Sequence, residues 1–215
     1  MQQLDQNPQR ALLSDGPEDA RWTLVLAHGS GTGMESPFLQ LAARQLGREG
    51  IRVQRFEFPY MHKARIDGRR RPPDREPVLL ETWREVVGQV AGQTPRLAFG
   101  GRSMGGRMAS MLADALPAVD ALVCFGYPFH PPGKPERLRT DHLETLETPA
   151  LICQGERDTF GNAAEVATYT LAGSIRLHWL PDGDHELKPR KRSGYTAEDN
   201  WLSAIDATSG FLASL

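Results

Sequence analysis

Apolar residues fall along this chain in two alternating patterns. Short, nearly unbroken apolar runs recur at Trp22 to Ala27, Leu97 to Phe99, Ala121 to Phe125, Ala150 to Gln154 and Ile175 to Leu180. Runs of that length suit strands buried on both faces of a parallel sheet. Between them, apolar residues return at helical spacing. Phe38, Leu41, Ala42 and Leu46 predict one helix, with Ser36 as its N-cap and Pro37 at its first position. Leu79, Trp83, Val86, Val87 and Val90 predict a second, and Met104, Met108, Met111, Leu112 and Ala115 a third. Ala163, Val166, Ala167 and Leu171 suggest a fourth. Trp201, Ile205 and Leu212 face inward on a closing helix, which Thr196 and Asp199 open as a capping pair.

The remaining segments are less regular. Ala11 to Leu13 reads as a short edge strand. Ile51 to Phe58 alternates apolar and polar residues, which predicts a strand with one wetter side, closed by Pro59. Lys63 to Glu76 is arginine-rich and broken by prolines, which predicts an exposed loop. Strands and helices alternate with no repeat and no internal linker. The pattern predicts a three-layer α/β/α sandwich on a mostly parallel, twisted sheet. It further predicts one domain over residues 1–215, with 1–10 mobile. In such sheets ligands gather at the C-terminal ends of the strands.

Composition leaves that picture intact. A chain of 215 residues can build a substantial core, and 40% hydrophobic with 24% charged residues is ordinary for a globular protein. A formal net charge of −2 gives no general attraction to nucleic acid. No apolar run approaches the ~20 residues that span a bilayer. The polar start, Met1 to Arg10, lacks the apolar core of a signal peptide, so a cytoplasmic protein is expected. Cys124 and Cys153 lie in apolar runs and read as buried free thiols, on strands that should be neighbours. No Cys/His spacing suits zinc. Gly29-x-Gly31-x-Gly33 lacks both the Lys-Ser/Thr of a phosphate loop and the spacing of a dinucleotide fingerprint. Neither a metal nor an organic cofactor is expected.

The candidate chemistry lies at the predicted strand exits. Gly101-Arg102-Ser103-Met104-Gly105 joins an apolar strand to a helix by a sharp turn with serine at its apex. The strained turn needs glycines two positions to either side, and the Met104 N–H opens the helix beside the hydroxyl. A nucleophilic serine needs a base and an acid that orients it. His185 follows the last strand and Asp158 the strand before it. Asp182 and Asp184 are rival acids too close in sequence to reach the far imidazole nitrogen easily; Glu156 is a better rival.

The order serine, acid, histidine is the one associated with α/β hydrolases, and the chain resembles that superfamily along nearly its whole length. His28-Gly29-Ser30-Gly31 resembles its oxyanion loop, Gly101 to Gly105 its nucleophile elbow, Gly155 to Asp158 its acid turn, and Gly183-Asp184-His185 its histidine loop. The small size and lack of room for a large cap resemble the dienelactone-hydrolase-like branch, although that branch proper uses a cysteine nucleophile. Tyr127 to Pro135 resembles the signature of the testis-expressed hydrolase-like proteins. Their relatives include bacterial hydrolases and the hydrolase-like domain of a chromatin acetyltransferase (NSL) complex subunit. The resemblance implies Ser103 as nucleophile, His185 as base and Asp158 as acid. It implies oxyanion donors at the backbone of Met104 and Ser30, with Gly31 as the alternative second donor. His28 supports that loop by packing or hydrogen bonding. Gly29, Gly31, Tyr127 and His130 are candidates for substrate contact.

The implied function is a serine hydrolase acting on a small carboxylic ester or thioester through an acyl-enzyme. The competing reading is a catalytically silent interaction module, as in the chromatin-complex relative; peptidase or perhydrolase chemistry is a further alternative. No nucleic-acid or membrane partner is expected. Arg69 to Arg71, and Lys188 with Arg190 to Arg192, follow strand exits. They are either solvated loops or a rim that attracts an anionic substrate.

Overall fold

Six consecutive buried residues, Trp22 to Ala27, form a strand inside a seven-stranded sheet. The computed structural model describes residues 10–215, so the expected mobile segment 1–10 lies outside the described residues except for Arg10. The elements in chain order are β1 (Leu13–Asp15), β2 (Trp22–Ala27), α1 (Pro37–Arg48), β3 (Arg52–Phe56), α2 (Pro59–Asp67), α3 (Glu76–Val90) and β4 (Arg96–Arg102). Then follow α4 (Met104–Ser110), β5 (Ala121–Phe125), β6 (Ala150–Gly155), α5 (Ala163–Val166), β7 (Ile175–Leu180) and α6 (Ala197–Ala213). The sheet order is β1-β3-β2-β4-β5-β6-β7, with β1 antiparallel to β3 and every other pair parallel.

Side chains alternate across the pleat, so each central strand feeds two cores. Leu24 and Leu26 pack with Phe38 and Leu39 of α1 and Ile205 of α6. Val25 and Ala27 pack with Trp83 and Val86 of α3 and Met108 of α4. Each large buried side chain contributes about 1.5–3 kcal/mol of transfer free energy. This is the expected α/β/α sandwich. Thr196 and Asp199 form the expected capping box, with Thr196 N–H donating to Asp199 (2.7 Å) and Asp199 N–H to Thr196 (3.1 Å).

Several local expectations need correction. Pro59 does not merely close a strand; it is a first-turn residue of α2, where its missing N–H costs nothing. The exposed loop therefore begins near Gly68 rather than at Lys63. The polar residues of this segment are not wet: Gln54 and Arg55 of β3, and Glu57 just after it, are buried. Arg55 pairs with Asp15 of the edge strand (2.7 Å), and Arg65 of α2 pairs with Glu57 (2.8 Å). The edge strand itself is Leu13–Asp15. Ser36 sits at the N-cap of α1 but its side chain makes no cap bond. The helix after Ser103 stops at Ser110, and α5 spans only four residues. Cys124 and Cys153 lie on adjacent strands but one register apart, so they point into opposite cores.

One close approach governs the middle of the sheet. Gly101, at φ 145°, runs so near β2 that a Cβ there would stand 2.1 Å from the Ala27 carbonyl oxygen. Gly101→Ala should destabilise the fold by about 3 kcal/mol or more, read as a lower midpoint in urea denaturation; an unchanged midpoint would contradict this packing.

Candidate active site

Ser103 stands between β4 and α4 at φ 46°, ψ −115°, a backbone conformation that a residue with a side chain rarely adopts. The surroundings enforce it. Ser103 N–H donates to Phe125 O (3.0 Å) on β5. A Cβ on Gly105 would stand 2.6 Å from the His28 carbonyl oxygen, so only glycine lets α4 approach the end of β2. Trp83 Nε1 donates to Gly105 O (3.2 Å) and ties the turn to α3.

His185 Nε2 lies 2.8 Å from Ser103 Oγ, and His185 Nδ1 lies 2.8 Å from Asp158 Oδ2. A carboxylate accepts only, so Nδ1 carries the proton and Nε2 presents a lone pair to the hydroxyl. Asp158 is fully buried. A buried carboxylate is tolerable only when its oxygens are satisfied. Here Phe160 N–H donates to Oδ1 (2.8 Å) and Gln154 Nε2 to Oδ2 (2.9 Å). Phe160 stacks on the imidazole, with ring centroids 4.0 Å apart, and Arg102 Nη2 donates to His185 O (3.0 Å). The rival acids are engaged elsewhere. Asp182 binds Arg190 and Arg157, and the Arg190 hydrogen bond, the largest cause, holds its carboxyl well below the usual range. Asp184 Oδ1 accepts the Glu186 and Lys188 N–H groups, and Glu156 accepts the Asp182 N–H.

Opposite the imidazole lie Ser30 and Met104, and neither backbone N–H has a partner among the described residues. Tyr60 Oη donates to Ser30 O (3.0 Å) and holds that loop. His28 sits beneath it, fully buried. Its Nδ1 lies 2.7 Å from Gly29 O, and its Nε2 accepts the Phe58 N–H (3.1 Å). Those partners require the neutral ring, and burial pushes the His28 pKa down in the same sense.

Gly29, Ser30, Gly31, Ser103, Met104 and His185 all line one pocket of about 490 Å³. Tyr127 and His130 do not. Tyr127 is fully buried against Phe129, its hydroxyl donates to Arg139 O (3.2 Å), and its N–H donates to Gln154 Oε1 (2.7 Å). Tyr127 thus steadies the side chain that holds Asp158. His130 is nearly as buried, between Pro131 O (2.9 Å) and Glu165 (3.3 Å) of α5. The basic clusters at 69–71 and 188–192 do not line the pocket either; Arg102, Arg107 and Arg139 do. Arg107 follows Ser103 by one helical turn, a spacing legible in sequence; nothing local marks Arg139. Among the described residues, no group of three His, Cys, Asp or Glu side chains could hold a metal ion, and no helix is long and apolar enough to cross a membrane.

A family model described as alpha/beta hydrolase domain matches residues 20–213. The chain belongs to that family. By class this alpha/beta hydrolase is a hydrolase, and no inserted cap domain stands among its described elements. Its fold is shared with a lidless α/β serine hydrolase from Xanthomonas campestris at TM-score 0.71 and 21% identity, over 94% of this chain and 88% of that one. It is shared with a dienelactone hydrolase from Anabaena variabilis at TM-score 0.71 and 22% identity, over 94% and 90% of the two chains. Est1E from Butyrivibrio proteoclasticus aligns at TM-score 0.70 and 15% identity, over 94% of each chain. No curated protein matches the chain.

The state of His28 gives a pH test. Its folded pKa lies below the free value of 6.5, so its contribution to stability is complete above pH 6.5 and is lost as pH falls through the folded pKa. Wild type should therefore lose more denaturation midpoint between pH 8 and pH 5 than His28→Gln does. Equal losses would show that His28 is not held neutral.

Proposed function

We propose that this protein is a serine hydrolase that cleaves a small carboxylic ester or thioester through an acyl-enzyme. The observation that carries the reading is the unbroken relay from Ser103 Oγ through His185 to the buried Asp158, with two contacts of 2.8 Å. Ser103 Oγ attacks the acyl carbon as its proton passes to His185 Nε2. The imidazolium gives that proton to the departing alcohol or thiol. Water then attacks the acyl carbon and loses a proton to the same nitrogen; as the acyl–Oγ bond breaks, the imidazolium returns that proton to Ser103 Oγ, releasing the acid and the free serine. Asp158 stays ionised and stabilises the imidazolium. The N–H groups of Met104 and Ser30 receive the charge that develops on the carbonyl oxygen, each donor being worth about 3 kcal/mol in such sites.

Support comes from the family match, from the partnered Asp158, and from a pocket open to solvent without a cap. The likeness of Tyr127 to Pro135 to the testis-expressed hydrolase-like proteins adds no substrate.

A fluorophosphonate probe should label wild type and leave Ser103→Ala unlabelled. Folded wild type that resists labelling would favour a silent interaction module instead. Asp158→Asn should lower kcat on a 4-nitrophenyl ester by on the order of 10³–10⁴-fold, with far less loss in Glu156→Gln. The reverse order would transfer the acid role to Glu156.

A further inference from the structure

Charge in the candidate pocket is not evenly compensated. Three arginines line it, Arg102, Arg107 and Arg139. Arg102 lies in the field of Glu186, Asp158 and Asp184 and its Nη2 donates to His185 O, while its buried Nη1 has no partner. Arg107 meets Glu76 through Nη1 and Nη2 (3.2 Å each), while its buried Nε has no partner. Among the described residues no hydrogen bond or ion pair engages the Arg139 guanidinium; Glu76, already bonded to Arg107, acts on it only at longer range. Burial, then the charge of Arg107 close by, push the Arg139 guanidinium pKa down. Two like charges held together beside a nucleophile, one of them without a counterion, are unfavourable in the empty pocket. An arriving anion relieves them. A carboxylate presents two oxygens in one plane, which fits a single planar guanidinium.

We propose that Arg139, with Arg107 beside it, forms a carboxylate-binding subsite, so that the preferred ester bears a free carboxylate a short spacer away from its scissile carbonyl. The proposal rests on Ser103 being the nucleophile. Arg107 follows Ser103 by one turn of α4, a rise of about 6 Å, and Arg139 lines the same pocket as both, so one small substrate can reach the serine and the guanidinium together. The carboxylate belongs either to the acyl group or to the leaving alcohol, and the test has an arm for each.

Three esters serve: the 4-nitrophenyl monoester of glutaric acid, charged on the acyl side; 4-acetoxybenzoate, charged on the leaving side; and neutral 4-nitrophenyl butyrate. One charged ester should exceed butyrate in kcat/KM by about tenfold or more at low salt, and the excess should shrink as salt is added. Arg139→Gln should bring the ratio close to that expected without charge recognition, Arg139→Lys should restore part of it, and Arg70→Gln, outside the pocket, should keep it. Binding is read separately by calorimetry of monomethyl glutarate and of 4-acetoxybenzoate with Ser103→Ala. At least one should bind, and adding Arg139→Gln should weaken it about tenfold or more. Butyrate turnover that needs Ser103, with no charge preference and no Arg139-dependent binding, overturns the subsite and leaves the hydrolase reading standing. Arg139-dependent binding without turnover of any ester supports the subsite and removes the hydrolase reading.

Discussion

The structure depends on backbone approaching backbone at the turn that carries Ser103. Gly101 leaves no room for a Cβ against Ala27, and Gly105 leaves none against His28. These two contacts press the end of β4 and the start of α4 onto the end of β2. The serine between them has no relaxed conformation available and is held at φ 46°. The strain is small beside the burial of the sheet, whose two cores meet through β2 and β4. One placement thus sets the hydroxyl, the helix that follows it and the loop opposite it.

The second dependence is a buried negative charge. Asp158 has no access to water, and its hydrogen bonds come from Phe160, Gln154 and His185. Gln154 in turn is fixed by the Tyr127 N–H. The aromatic residue that looked like a substrate contact therefore serves the acid from behind. His185 is confined by Asp158, by the stacked Phe160 and by Arg102 at its carbonyl. An imidazole held on three sides keeps one tautomer and one direction, which the proposed proton transfer to and from Ser103 would require. The electrostatics of the pocket follow from the same crowding. Arg102 is tied to His185 O and Arg107 to Glu76, whereas the Arg139 guanidinium, in the same pocket, has no bonded partner among the described residues.

Much of this was legible along the chain because it is local. Unbroken apolar runs mark strands buried on both faces, the glycine spacing marks the turn, and the order Ser103, Asp158, His185 follows from the exits of β4, β6 and β7. Errors arose where a residue's surroundings come from distant segments. The polar residues of β3 looked wet, yet Asp15 and α2 cover them. Pro59 looked like a terminator, yet it opens a helix, because either role fits its fixed φ. The basic runs at 69–71 and 188–192 read equally as solvated loops or a pocket rim; they do not line the pocket, and isolated arginines from separate segments do.

Pattern alone was enough for the layers, the parallel sheet and the edge at which chemistry would gather, since period and turn composition act over a few residues. It could not supply the partners of single side chains. Which acid reaches the imidazole, where Tyr127 points and which arginine is left without a counterion depend on chain segments tens of residues apart being packed together. Those contacts exist only once the sheet has closed its register and both of its faces are covered.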